Sequence, residues 1–370
     1  MVKHRSSRDA APALIRPPHW LWWLVALAAT QSGCGGSSGA EPVAFEDVFE
    51  RARVVRLEEP DSAPLTGIRK FAPTPDGRFL VVDEGRPQVR VFGREGELER
   101  IVGRHGDGPG EFRYPNGARM DEEGRLFVVD SDGALLTRFD PAMRFDTVVA
   151  LPSVATYDLR MLGGNLLALL RAGEPQEGAP SYRGAVLSTD GALIQRVHPM
   201  DSLVWGVPYW SSFAAPLAAG GSNRAVTVNR FFYPLHLYDA DGRHLRDFGE
   251  PPPSWRSPGR PERGAFIGLE GWDRLEEWLH AMTVISSVAI YRDSAILVVH
   301  AQPEPQPASI YAQTDTLLDV YSIEGEKLLE DVPVPGRVLE AKDYLYVLEA
   351  EPPEGWVVGV YRLRTESLDF

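Results

Sequence analysis

Residues 77–98, GRFLVVDEGRPQVRVFGREGEL, decide the fold. Phe79–Val82 is apolar throughout, a polar Gly-Arg-Pro-Gln link follows, Val89–Phe92 makes a second strand, and a Gly-Arg-Glu-Gly turn starts a third at Leu98. The same grammar returns along the chain. Tight polar turns begin at Phe92 (FGREGEL), Phe139 (FDPAMRF), Leu187 (LSTDGAL), Tyr238 (YDADGRH), Tyr321 (YSIEGEK) and Tyr361 (YRLRTES). Upstream of each stands a matching strand: GRFLVVDE from Gly77, GRLFVVDS from Gly124, GNLLALLR from Gly164, NRAVTVNR from Asn223, SAILVVHA from Ser294 and KDYLYVLE from Lys342.

An irregular period of roughly 40–50 residues with all-strand units is the pattern of sheets repeated around an axis. The sequence therefore predicts an all-β, six-bladed β-propeller with four-stranded antiparallel blades. In the first blade, strands a to d fall at Ile68–Ala72, Phe79–Val82, Val89–Phe92 and Leu98–Val102. The last blade ends with strand c at Tyr361–Leu363, so its outer strand is expected from Arg51–Leu57 near the start of the chain. That pairing closes the ring and removes an open sheet edge. The domains follow: 1–33 a signal peptide, 34–44 a tether, and 45–370 the propeller, with a helix-bearing insertion at 250–281.

Composition suits this reading. Thirty-one Pro and 35 Gly favour short strands and turns, and a ring of small interfaces accommodates 370 residues without one oversized core. The first 33 residues carry a local charge of +3, leaving −17 for the rest. That balance repels phosphate, and nucleic acid is not expected as a partner. Behind the basic segment, Trp20–Ala29 gives about ten apolar residues, too few for a ~20-residue membrane span but right for an export signal. Thr30-Gln-Ser-Gly-Cys34 then resembles a bacterial lipobox, although Gln31 replaces the usual Leu. The resemblance implies lipidation of Cys34, the chain's single cysteine, and anchoring in the cell envelope (at the outer membrane in a Gram-negative cell). The alternative is ordinary cleavage after Ala26-Leu-Ala28, which leaves a free thiol.

Gly106-Asp-Gly-Pro-Gly-Glu-Phe112, Pro115-Asn-Gly117 and Asp121–Asp130 together resemble an NHL repeat, and Pro75–Asp83 repeats the second half. The chain as a whole is similar to six-bladed propeller lipoproteins and NHL-containing secreted proteins of bacteria. By that resemblance Asp83 and Asp130 fix turns and do not catalyse. Propellers of the lactonase type hold a divalent cation at the axis on acidic and amide side chains. Here Gly67–Phe71 offers no acid, leaving only Glu46, Asp158 and Glu340 for such a role.

Strand parity predicts that every long insertion emerges on one face. These are the d–a crossings 103–116, 198–208 and 249–281 and the b–c loops 171–184 and 301–316. Aromatics concentrate there: Trp205, Tyr209, Trp210, Trp272 and Trp278 are candidate ligand contacts, with a helix expected over Gly271–Met282 that packs as a satellite core or lies across the channel mouth. Arg69, Arg119, Arg160 and Arg337 stand in the innermost strands, either paired with acids or forming an anion site. The histidines at 105, 198, 236, 244, 280 and 300 show no metal-ligand spacing, so neither metal nor cofactor is expected. These features favour a monomeric binding module for a small anionic or carbohydrate ligand or an envelope protein. The alternative is a hydrolase, lactonase or lyase working at the channel mouth.

Overall fold

The computed structural model describes residues 43–151, 156–170, 182–199, 217–259, 261–262, 265–266, 270–303 and 316–364. Its strands form six separate four-stranded antiparallel sheets. The first blade holds β2 (Ile68–Pro73), β3 (Phe79–Asp83), β4 (Val89–Phe92) and β5 (Leu98–Val102). The second holds β6 (Pro115–Met120), β7 (Leu126–Asp130), β8 (Leu135–Phe139) and β9 (Phe145–Ala150). The third is β10 (Thr156–Leu162), β11 (Asn165–Leu170), β12 (Tyr182–Leu187) and β13 (Leu193–Pro199). The fourth is β14 (Leu217–Gly220), β15 (Arg224–Asn229), β16 (Phe232–Asp239) and β17 (His244–Phe248). The fifth contains β18 (Val284–Tyr291), β19 (Ala295–Ala301), β20 (Thr316–Ser322) and β21 (Lys327–Pro333). The sixth takes β22 (Arg337–Ala341), β23 (Leu345–Ala350) and β24 (Trp356–Leu363) from the end of the chain and β1 (Phe49–Leu57) from its beginning.

Each innermost strand packs on the next, and β22 packs on β2. The ring is closed: this is a six-bladed β-propeller.

The core is distributed as the repeat requires. Among the described residues, each of the six blade–blade interfaces has its own buried apolar cluster. Strands b and c are sandwiched between neighbouring blades, which explains why Phe79–Asp83 and Leu126–Asp130 are buried at every position and do not alternate. Outermost strands alternate or lie open, as Phe145–Ala150 does.

The closing strand runs antiparallel to β24 from Phe49↔Leu363 to Leu57↔Trp356. Short helix α1 (Phe45–Val48) precedes it; Phe45 stacks on Phe49 at 4.8 Å and meets the Tyr361 ring edge-on at 5.0 Å. Val55 and Leu57 enter the interface between the sixth and first blades.

Asp83 and Asp130 serve their turns. The Asp130 carboxylate accepts from the N–H groups of Arg113 (2.6 Å), Tyr114 (3.0 Å) and Asp132 (3.1 Å). Asp83 accepts from the Thr66 hydroxyl and pairs with Arg90 at 2.8 Å, both side chains fully buried. Helix α2 (Gly271–His280) forms where the sequence predicts one, in the crossing between the fourth and fifth blades. Among the described residues no helix is long and apolar enough to cross a membrane.

Candidate functional site: an axial cavity among the a–b turns

Innermost strands carry one extra residue near their start. A bulge interrupts pairing with strand b at Arg69, Asn116, Tyr157, Ser286 and Leu339 in the first, second, third, fifth and sixth blades. The residue after the bulge is then Lys70, Gly117, Asp158, Ser287 or Glu340, and two residues further on come Ala72, Arg119, Arg160 and Ala289 in the first, second, third and fifth blades. Since side chains alternate with period two, these positions share one side of each strand. Opposite charges therefore meet across the ring.

Glu340 is the hub. One of its oxygens accepts from Arg119 at 2.7 Å and also from Arg160. Arg160 reaches Asp158 at 3.0 Å, and Lys70 meets the same Asp158 oxygen at 3.0 Å. Burial pushes the Glu340 carboxyl up to about 7, while the Arg119 charge pulls the other way. Its second oxygen accepts the Ala341 N–H at 3.2 Å.

Above this cluster lies a cavity of about 330 Å3 to which every blade contributes, through Pro73, Met120, Met161, Gly220, Ile290 and Ala341. Glycine is required at 220: a Cβ there would sit 2.0 Å from the Met161 carbonyl oxygen. Charged rim residues come from the a–b turns, with Lys342 3.8 Å from Glu122 and the Arg292 Nε donating to the Asp343 carbonyl at 3.0 Å. Small side chains leave the hollow, and buried arginines define its charged end.

This cavity opens among the short a–b turns, at the end opposite the insertion-rich face where the sequence places a mouth; much of that face, including 171–181, 200–216 and 304–315, lies outside the described residues. It also divides the four arginines. Arg119 and Arg160 line the cavity. Arg69, the bulged residue of β2, instead covers the Tyr114 ring at 4.2 Å and donates to the Glu84 carbonyl at 2.7 Å. Arg337 donates to the Ile68 carbonyl at 3.3 Å and lies 3.7 Å from Glu351. Arg69 is the second residue of β2 whereas Arg119 is the fifth of β6, so a rise of ~3.3 Å per residue separates them along the axis by about 10 Å.

Residues 37–160 match a family profile (DUF5128) described as a 6-bladed beta-propeller. No curated protein matches the sequence. Among solved structures, a protein of Bacteroides fragilis designated as exported superposes with a TM-score of 0.59 at 11% identity, over 87% of this chain and 97% of its own. A DUF4221 family member from Bacteroides vulgatus gives 0.61 at 11% identity, over 85% and 98%. At that identity the likeness is one of fold.

Of the aromatic candidates, Trp278 is buried in a satellite core with Phe231, Phe266, Leu275, Leu279 and Met282, its indole N–H donating to the Gly259 carbonyl at 3.0 Å. It stabilises the insertion and offers little surface to a ligand. Trp272 lies in α2, its side chain outside the described residues. Trp205, Tyr209, Trp210 and Cys34 also fall outside them. Of the three acids left for an axial cation, Glu46 is exposed on α1, while Asp158 and Glu340 reach the axis but are taken by cations.

The fold also brings together histidines that lie apart in the sequence. Two groups hold ligand-type atoms within 4.8 Å of one another: His236, His244 and Asp247, and the more deeply set His300, Asp319 and Asp331. Linear spacing did not show them because each is assembled across strands. In the second group burial pushes Asp319 up to about 7.

Proposed function

We propose that this propeller is an exported binding module that holds a small anionic ligand in the axial cavity. The observation that carries the reading is the convergence of all six innermost strands on one hollow of about 330 Å3 with Arg119 and Arg160 at its buried end. A ligand carboxylate or phosphate entering there would compete with Glu340 for two guanidinium groups already oriented. Catalysis is the weaker reading. Three of the roughly four acceptor directions of the Glu340 carboxylate are taken, by Arg119, Arg160 and the Ala341 N–H, so the central acid is committed chiefly to holding the two arginines.

The test uses inorganic phosphate, citrate and the neutral maltotriose as probes in thermal denaturation. An anionic probe is expected to raise Tm with saturable concentration dependence, maltotriose to have no effect, and the double substitution Arg292→Ala/Lys342→Ala at the exposed rim to weaken the response. Equal silence of all three probes would contradict the proposal.

Export and anchoring rest on the basic segment, the ten-residue apolar run and the lipobox-like Ser32-Gly33-Cys34. The exported designation of the Bacteroides fragilis neighbour accords with that placement. A thioether-linked diacylglycerol together with an amide-linked acyl chain would hold the module at a membrane, since one chain binds marginally and two or more bind durably. Cys34→Ala is expected to move the protein from the membrane fraction to the soluble one. Retention of the variant on washed membranes would rule out this anchor.

A further inference from the structure

The same c–d scaffold appears in several blades but carries different chemistry in the fourth. In the first four blades, pairing of strands c and d slips by one residue next to the turn: at Val91/Phe92, Arg138/Phe139, Val186/Leu187 and Leu237/Tyr238. The extra residue changes which side chains of strand d share a side. In the fourth blade Tyr238 pairs with His244, whereas His236 pairs with Asp247. Without the slip, positions 244 and 247 would face opposite ways, three residues apart in a strand of period two. With it, both reach the side occupied by His236.

The equivalent outer-strand pairs are Leu98 and Ile101 in the first blade, Phe145 and Val148 in the second, and Leu193 and Arg196 in the third. Strand c contributes Arg90, Thr137 and Ala185 where the fourth blade has His236. None of those three sets can ligate a metal through two imidazoles and a carboxylate. The fourth blade has all three groups, although the repeat's geometry does not demand them.

We propose that His236, His244 and Asp247 form a site for a divalent transition metal of the zinc class. The Asp247 Oδ1 lies 2.6 Å from His236 Nδ1 and 2.7 Å from His244 Nε2, so the donors already converge. Two imidazoles and one carboxylate suit zinc and related borderline ions, and leave a fourth position for water in a tetrahedral shell. Access exists: the three residues line a cavity of about 280 Å3 between the third and fourth blades, walled also by Tyr182, Arg196 and His198. His198 is buried behind His236, its ring 5.4 Å away and its Nδ1 2.9 Å from the Thr227 hydroxyl. The deeper His300, Asp319 and Asp331 group, assembled in the fifth blade, serves as the rival location in the test.

The experiment uses untagged full-length protein stripped with a chelator and titrated with Zn2+ against a chromophoric competitor. One equivalent is expected to bind, and His244→Ala should weaken binding by at least ~10–100-fold, a range that loss of a mere outer-shell partner already reaches. His244 is half-exposed, so its substitution leaves the fold intact; Asp247→Asn should act in the same direction, and His105→Ala, an exposed control, should change nothing. Co2+ should give the intense visible bands of a four-coordinate ion, and lose them in His236→Ala. Absence of stoichiometric uptake, or uptake unchanged in the His236→Ala/His244→Ala double variant, would overturn the site and in the latter case move it to the deeper group.

Discussion

Deletion of residues 45–57 is expected to abolish cooperative unfolding. The segment contributes Phe45, Val48, Phe49, Val55 and Leu57 to buried interfaces and supplies every hydrogen-bond partner along the outer edge of β24. At about 1.5–3 kcal/mol for each large apolar side chain buried, the apolar contribution alone is comparable to the ~5–15 kcal/mol that holds a typical domain folded. The damage also extends to both sides of the seam. Phe45 and Phe49 belong to the cluster between the fifth and sixth blades, and Val55 and Leu57 to the one between the sixth and first. Differential scanning calorimetry should show a broad, low-enthalpy transition for the truncated chain. An unchanged, sharp melt would mean that the ring does not depend on this closure.

The second large effect is expected at Asp83. Arg90 is completely buried, and its guanidinium donates to the Asp83 carboxylate at 3.0 Å and to the Ala63 and Pro64 carbonyls at 2.6 and 2.7 Å. Asp83→Ala leaves that charge buried without a counter-ion, a change that costs about 3–5 kcal/mol. The matching residue of the second blade gives an internal control. Among the described residues Asp130 accepts from backbone N–H groups, and Thr137 takes the place of Arg90 in the b–c pairing, so Asp130→Ala should cost less, about 1–3 kcal/mol. Replacing both charges, as Asp83→Ala/Arg90→Leu, should recover part of the loss because no unpaired ion remains. Urea denaturation of the three variants beside the parent protein orders them. Equal losses at Asp83 and Asp130 would show that the ion pair adds nothing beyond the turn.

These two predictions mark the boundary between local and assembled information. Blade number, strand limits and the closing segment were legible because each depends on short-range patterning: apolar runs of four to six residues, polar turns, and a last blade one strand short. The first blade's strands end within one residue of their sequence-derived limits, at Pro73 and Asp83 for a and b. Helix α2 was legible for the same reason, through apolar residues at helical spacing. The structural role of Asp83 and Asp130 followed from their position at the end of strand b.

The site was not legible to the same degree, and the reason is the bulge. A single added residue reverses the facing of everything after it, yet it leaves no mark in composition or hydropathy. Aligning the inner strands on their arginines placed Arg69 beside Arg119. The pairing registers place Lys70, Asp158 and Glu340 at one level of the axis and Arg119 with Arg160 at the next. In the fourth blade another bulge brings His244 and Asp247 to His236, a grouping that counting along the chain does not reveal. The chain's own order of residues thus specified how many sheets form, since each strand and turn depends on neighbours a few positions apart, and how the circle is sealed, since a last blade one strand short leaves an edge for the apolar run at 49–57 to fill. Which charges meet at the axis, and which imidazoles share a carboxylate, was decided only in three dimensions, because register between strands sets which side chains face one another.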